Sequence, residues 1–312
     1  MDGQIIDEQY LYDIANAIRS KNGESTLYRP QDMDNAINEI GIYDTLFRQL
    51  VTRTITNLTV ENITTIRDYA CYNCTSLTTV NLPSVTTVGN RVFINCTSLT
   101  TVNLPLVETI GDNVFYNCSS LTSISLPELT IVTNYTFHNC TSLVSVNLPK
   151  VTSIYDMNAF EHCESLVTIT LPEVTYVGEK AFNSCYSLTT VNLAKATYIG
   201  GSCFYNCSSL TTVNIPEATR IAWTSFCGCS SLNNIELSKV TNINWGAFKD
   251  CTSLISITLS GSTVCGLDNI DAFDNTPIAS GTGYIYVPAE LVDAYKADSK
   301  WSTYASQIRS IS

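Results

Sequence analysis

The residues of this chain that could do chemistry are thirteen cysteines, two histidines and a set of Asn-Cys-Thr and Asn-Cys-Ser triplets. Cys71 and Cys74 have the C-x-x-C spacing of a zinc or redox site. Asn73, Asn95, Asn117, Asn139 and Asn206 each open an N-x-S/T acceptor sequence for N-glycosylation. His138 and His162 are the potential general bases, with Asp156 or Glu161 as carboxylates that could orient His162.

Spacing decides among these readings. Nine cysteines, from Cys74 to Cys251, recur every 22 residues, with one interval of 23. Leu77 to Leu254, Val80 to Ile257, Leu82 to Leu259 and Phe93 to Phe248 recur with them. The unit is L-x-x-V-x-L-P-x-x-V-x-x-I-x-x-x-x-F-x-x-C-x. Such a unit cannot bury its own apolar face, whereas stacked units share one core. The cysteines then read as buried thiols acting as small apolar fillers, since a column of parallel Cβ vectors pairs poorly into disulfides. Cys71 stands where Phe93 stands one repeat later, so it too belongs to the core. The Asn column reads as turn residues whose amides satisfy backbone groups in successive coils. The two histidines fall in different columns, and nothing places a nucleophile beside either. G-x-S-x-G, H-E-x-x-H and glycine-rich phosphate-loop motifs are absent from the sequence. No enzyme, metal or cofactor is expected.

The elements follow from the same unit. L-x-x-V-x-L is a short strand, ended by a proline that has no N–H for the ladder. An earlier unit at Ile55, Leu58, Val60, Ile63 and Ile66 gives ten strands, and "YIYVP" at 284–288 an eleventh. At about 4.8 Å per strand the sheet would be roughly 50 Å long. Residues 284–312 form a closing segment: a last strand, a short helix after Pro288, and Trp301 with Ile308 over the final coil. Residues 46–283 form the solenoid. Within 1–45, Leu11, Ile14, Ala15 and Ile18 mark one helix, and Met33, Ile37 and Ile40 a second that starts near Pro30.

Charge narrows the partners. Sixteen Lys and Arg against 28 Asp and Glu leave a net charge of −12, which argues against nucleic acid and anionic membrane. No apolar run reaches the length of about 18 residues that a membrane-spanning helix needs. The first residues lack the apolar core of a secretory signal. Glu128, Lys150, Glu173, Lys195, Glu217 and Lys239 alternate in sign over six successive coils, a pattern that fixes register.

"AFNSCYSLTTVNL" (181–193) and its siblings resemble the BspA-like leucine-rich repeat, over roughly residues 52–288. The resemblance implies a repeat solenoid of about ten 22-residue coils with parallel β-sheet, and a surface-exposed or adhesive role. The 1–40 helices are similar to short segments of phage and prophage tail-region proteins. They imply attachment to a larger particle or oligomer.

The outward strand positions repeat Thr, Ser and Asn, as expected of a polar scaffold face. Three other columns vary freely and hold Tyr116, His138, Tyr176, Tyr198, Tyr205, Arg220, Trp223 and Trp245. A constant framework with variable aromatic positions suits recognition. The expectation is a non-catalytic binding or adhesion protein that meets a protein or cell-surface glycan outside the cell, on a bacterium or a virion. The alternative is a structural tail component with no ligand of its own.

Overall fold

The structure, a computed structural model, describes residue 49 and residues 53–311. The expected helical module at 1–45 lies outside these residues. The described chain winds as a parallel β-solenoid with two strands in most coils. One face carries twelve strands, from Asn57–Thr59 to Ile308–Ser310, and the second carries ten, from Thr65–Ile66 to Gly266–Leu267. Successive strands align one repeat apart, as in Thr79↔Thr101, Val80↔Val102 and Asn81↔Asn103. In the ten first-face strands from Asn57–Thr59 to Ser256–Thr258 the middle residue turns into the core, as the alternation predicts. Val80 is fully buried, while Thr79 and Asn81 are partly exposed.

Two differences from the sequence reading have physical causes. The first face is four short sheets, not one continuous ladder. The breaks follow Asn103, Asn147 and Asn214, where the next coil carries Ser125, Thr170 or Glu236 in the Asn position. Within the unbroken stretches the amides bond across coils, Asn103 to Asn81 and Asn214 to Asn192, each at 2.7 Å. Ile308 is also more than a cover. It begins a twelfth strand, Ile308–Ser310, which pairs in parallel with Tyr284–Val287. Between these two strands run the helix Val292–Ala297 and the turn Trp301–Tyr304. The Trp301 indole N–H donates to the Cys265 carbonyl at 2.6 Å, fixing this segment to the coil before it.

The core is a stack of identical side chains. Phe93, Phe115, Phe137, Phe160, Phe182, Phe204, Phe226, Phe248 and Phe273 form one column of near-parallel rings, 5.0–5.7 Å between neighbours. All thirteen cysteines are buried free thiols. They do more than fill space. Each of seven, from Cys118 to Cys251, donates its S–H to a Phe carbonyl of the preceding coil at 3.0–3.2 Å.

Most coils also hold two residues in the left-handed region. One column, two residues before the Phe, includes Arg91 (φ 56), Asn113 (58), Tyr135 (54) and Lys180 (54). The other, just before the Cys, includes Asn73 (57), Asn95 (59), Asn117 (57), Asn139 (61) and His162 (59). This conformation turns the N–H along the solenoid axis: Asn95 N–H reaches the Tyr116 carbonyl at 2.8 Å. Asn tolerates it better than most residues. The expected bond from these amides to turn backbone is replaced by an amide ladder, Asn95 to Asn73, Asn117 to Asn95 and Asn139 to Asn117. Gly228 takes the same column position at φ 77.

Candidate functional site

The charge column forms three separate bridges, Lys150–Glu128 (2.5 Å), Lys195–Glu173 (2.7 Å) and Lys239–Glu217 (2.6 Å), in place of a continuous run. All are exposed, worth about 0–1 kcal/mol each. Their contribution is to register.

The eight candidate residues separate into two places. Tyr116 and His138 lie just after their Phe residues and stack at 4.8 Å and 22°. Tyr205 lies in the same column two coils beyond Glu161, and no ring contact joins it to the others among the described residues. His138 is also met edge-on by Tyr135 and His162, at 5.6 and 5.9 Å. Its side chain is only 15% exposed, and its Nδ1 lies 3.2 Å from the Glu161 carboxylate. The nitrogen is sealed from solvent and makes no aligned hydrogen bond, and the carboxylate is the polar group beside it. Glu161 further accepts from Asn158 and, at 3.0 Å, from Asn183. Burial, the largest single influence, pushes this carboxyl up. The contacts with His138 and Asn158 and the charges of both histidines outweigh it and hold the group below the usual glutamate range.

Sequence columns separated the two histidines, whereas the coil geometry brings their rings to 5.9 Å. Glu161 meets His138, and the carboxylate beside His162 is Glu164, at 3.8 Å, in place of the expected Asp156 or Glu161. No serine or cysteine is hydrogen-bonded to either imidazole among the described residues. No group of three His, Cys, Asp or Glu side chains there is arranged to hold a metal. This cluster ties coils together.

The second place is the second-face strands, which carry Tyr176, Tyr198 and Arg220, together with the segments just after them, which carry Trp223 and Trp245 two residues past the strand ends. Tyr176 and Tyr198 stack at 4.8 Å and 3°. Trp223 and Trp245 stack at 6.1 Å and 12°. Arg220 Nε donates to Asn244 Oδ1 at 2.8 Å, which fixes the guanidinium. A Cβ at Gly201 would overlap the indole of Trp223, so the missing side chain is what lets the ring lie there. The tyrosine rings, parallel and this close, must stand face to face, because in one plane they would overlap.

Exposed apolar side chains continue this row in both directions. Tyr155 is 48% exposed, Met157 46%, Trp245 50% and Ile270 47%. Tyr155 and Ile270 escaped the column comparison. Tyr155 belongs to the coil with the extra residue, where the register shifts between Ile154 and Met157. Ile270 stands three residues before Phe273, as Trp245 stands three before Phe248, but no cysteine follows to mark the column. Counting from Phe alone would have found it.

Residues 40–166, 108–232 and 153–279 match the BspA type leucine rich repeat region, together more than half of the sequence. The chain belongs to the BspA type leucine-rich repeat family. The columns that repeat within this chain are the buried Leu, Val, Phe and Cys, and the second-face aromatic residues lie outside them. No curated protein matches. Solved leucine-rich repeat structures are similar. One is a leucine rich cell surface protein of Faecalibacterium prausnitzii A2-165, at 23% identity and TM-score 0.43, covering 81% of this chain and 82% of that one. A leucine-rich repeat protein of Bacteroides ovatus is similar at 22% identity and TM-score 0.44, covering 84% and 85%. The pneumococcal vaccine antigen PcpA is similar at 14% identity and TM-score 0.41, covering 82% and 77%. Among the described residues no helix is long and apolar enough to cross a membrane.

Proposed function

We propose that this BspA type protein is a non-catalytic recognition protein displayed outside the cell, and that it binds a protein partner through its second-face aromatic row. The observation that carries the reading is the contrast between repeats. The buried columns and the first-face Thr and Asn positions stay nearly constant, while the second-face strands and the segments just after them vary and carry Tyr176, Tyr198, Arg220, Trp223 and Trp245. Tyr, Trp and Arg are the residue types that dominate protein hot spots. A protein partner fits better than a glycan because an ordered guanidinium, Arg220, and exposed apolar side chains such as Met157 and Ile270 accompany the rings. Family membership agrees with surface display. Residues 1–45 would be the attachment end.

The test is adhesion of beads coated with the full chain to cultured epithelial cells treated beforehand with protease or with periodate. Protease-sensitive, periodate-resistant binding that is lost in a Tyr198→Ser, Trp245→Ala double variant supports the reading. Periodate-sensitive binding moves the partner to glycans. If no cell binding occurs and the chain co-purifies with particles only through residues 1–45, the protein is a structural component.

A further inference from the structure

One end of the aromatic row differs from the rest in charge. Trp245 and Ile270 are exposed on successive coils, aligned by the stacking of Phe248 on Phe273 at 5.7 Å. Three carboxylates stand on the Ile270 coil, with the Lys300 ammonium bound to the Asp268 backbone carbonyl at 2.5 Å. Asp271 accepts from the Gly246 N–H at 3.2 Å, and exposed Asp268 accepts from Asn242 at 2.9 Å. Asp274 faces Lys249 at 3.7 Å, the one ion pair formed by these three carboxylates among the described residues. The whole chain is acidic as well, at −12.

We infer that this end docks a protein segment presenting an apolar knob ringed by lysine or arginine. The inference rests on the aromatic row being the recognition face. Burying Trp245 and Ile270 supplies the apolar contact. The partner's cations meet Asp268 and Asp271, which form no ion pair among the described residues, and compete with Lys249 for Asp274. Trp223 stacks on the Trp245 indole from the coil before, 6.1 Å between ring centroids, and holds it in place. The acidic surroundings disfavour nucleic acid.

The experiment measures fluorescence anisotropy with the full chain and two labelled amphipathic probes, one of leucine and lysine, the other of leucine and glutamate. The lysine peptide is expected to bind at least about tenfold more tightly. Trp245→Ala with Ile270→Ser is expected to weaken it about tenfold or more, as loss of a hot spot does. Leu106→Ser, at an exposed apolar residue in another column, is expected to leave binding unchanged. Asp268→Asn with Asp274→Asn, which spares the apolar pair, is expected to flatten the salt dependence. Equal binding of the two probes, or full binding by the Trp245/Ile270 variant, overturns the inference. If Tyr176→Ser with Tyr198→Ser abolishes cell adhesion while the Trp245/Ile270 variant keeps it, the recognition face stands and this docking point falls.

Discussion

The Glu161 carboxylate lies 3.2 Å from Nδ1 of His138, in a side-chain environment only 12–15% exposed. The two residues come from adjacent coils, so the contact is a tie between repeats. Because the folded-state carboxyl is held below its ordinary value, its contribution is present above the unfolded glutamate range, about pH 4.3. It is lost as pH falls through the depressed folded value. Glu161→Gln is expected to lower stability by about 1 kcal/mol at pH 7, and the gap to the parent should close on acidification. Urea midpoints at pH 7 and pH 3 check this. A gap that stays constant would mean that the carboxylate is not held in its charged form.

The phenylalanine column predicts a large and local effect. Phe182 stacks on Phe160 and Phe204 at 5.1 and 5.5 Å and has no exposed surface. Phe182→Ala removes both stacks and leaves a cavity, a loss of about 3–5 kcal/mol. Since each coil contacts mainly its neighbours, amide hydrogen exchange should speed up most in the coils on either side of residue 182.

Asn139 separates backbone from side-chain effects. Its φ of 61 favours glycine, while its amide donates to Asn117 at 3.0 Å. Asn139→Gly loses only the amide, whereas Asn139→Ala loses the amide and also strains the left-handed backbone. The alanine variant should be less stable than the glycine variant by about 1 kcal/mol in thermal or urea melts. Gly228 already fills this position in another coil.

Burial pushes the column thiols up, to about 12 at Cys140 and Cys207. Native protein should therefore resist iodoacetamide at pH 8, and all thirteen cysteines should react once it is unfolded. Cys74 is the exception. A hydrogen bond from Cys71 and the charge of Arg53 hold its thiol down against burial, so mass spectrometry should find it labelled first.

Most of the architecture was legible from one number, the 22-residue interval, because every coil must present the same core residues to its neighbours. The buried Phe and Cys columns could be assigned from it directly. What remained hidden depends on departures from the interval. Tyr155 sits in the 23-residue coil, where a register shift moves it out of any column. Ile270 follows a longer interval, since Phe273 comes 25 residues after Phe248. The tie between His138 and Glu161 was legible in principle, because both stand just after their Phe in successive coils, but adjacency in the sequence pairs Glu161 with its neighbour His162 instead. The twelfth strand has neither Pro nor Cys to announce it and was legible only as an apolar anchor at Ile308.

The direction of the hydrogen bonds has a mechanical consequence. Backbone bonds such as Asn95 N–H to Tyr116 C=O, and thiol bonds such as Cys118 to Phe93, join one coil to the next. Tension along the stack would load them a coil at a time, as in an opening zipper, never all together. Each coil that peels away would release about 70 Å of chain. A protein of this build, held at one end and gripped at the other, yields in steps and keeps its remaining coils intact.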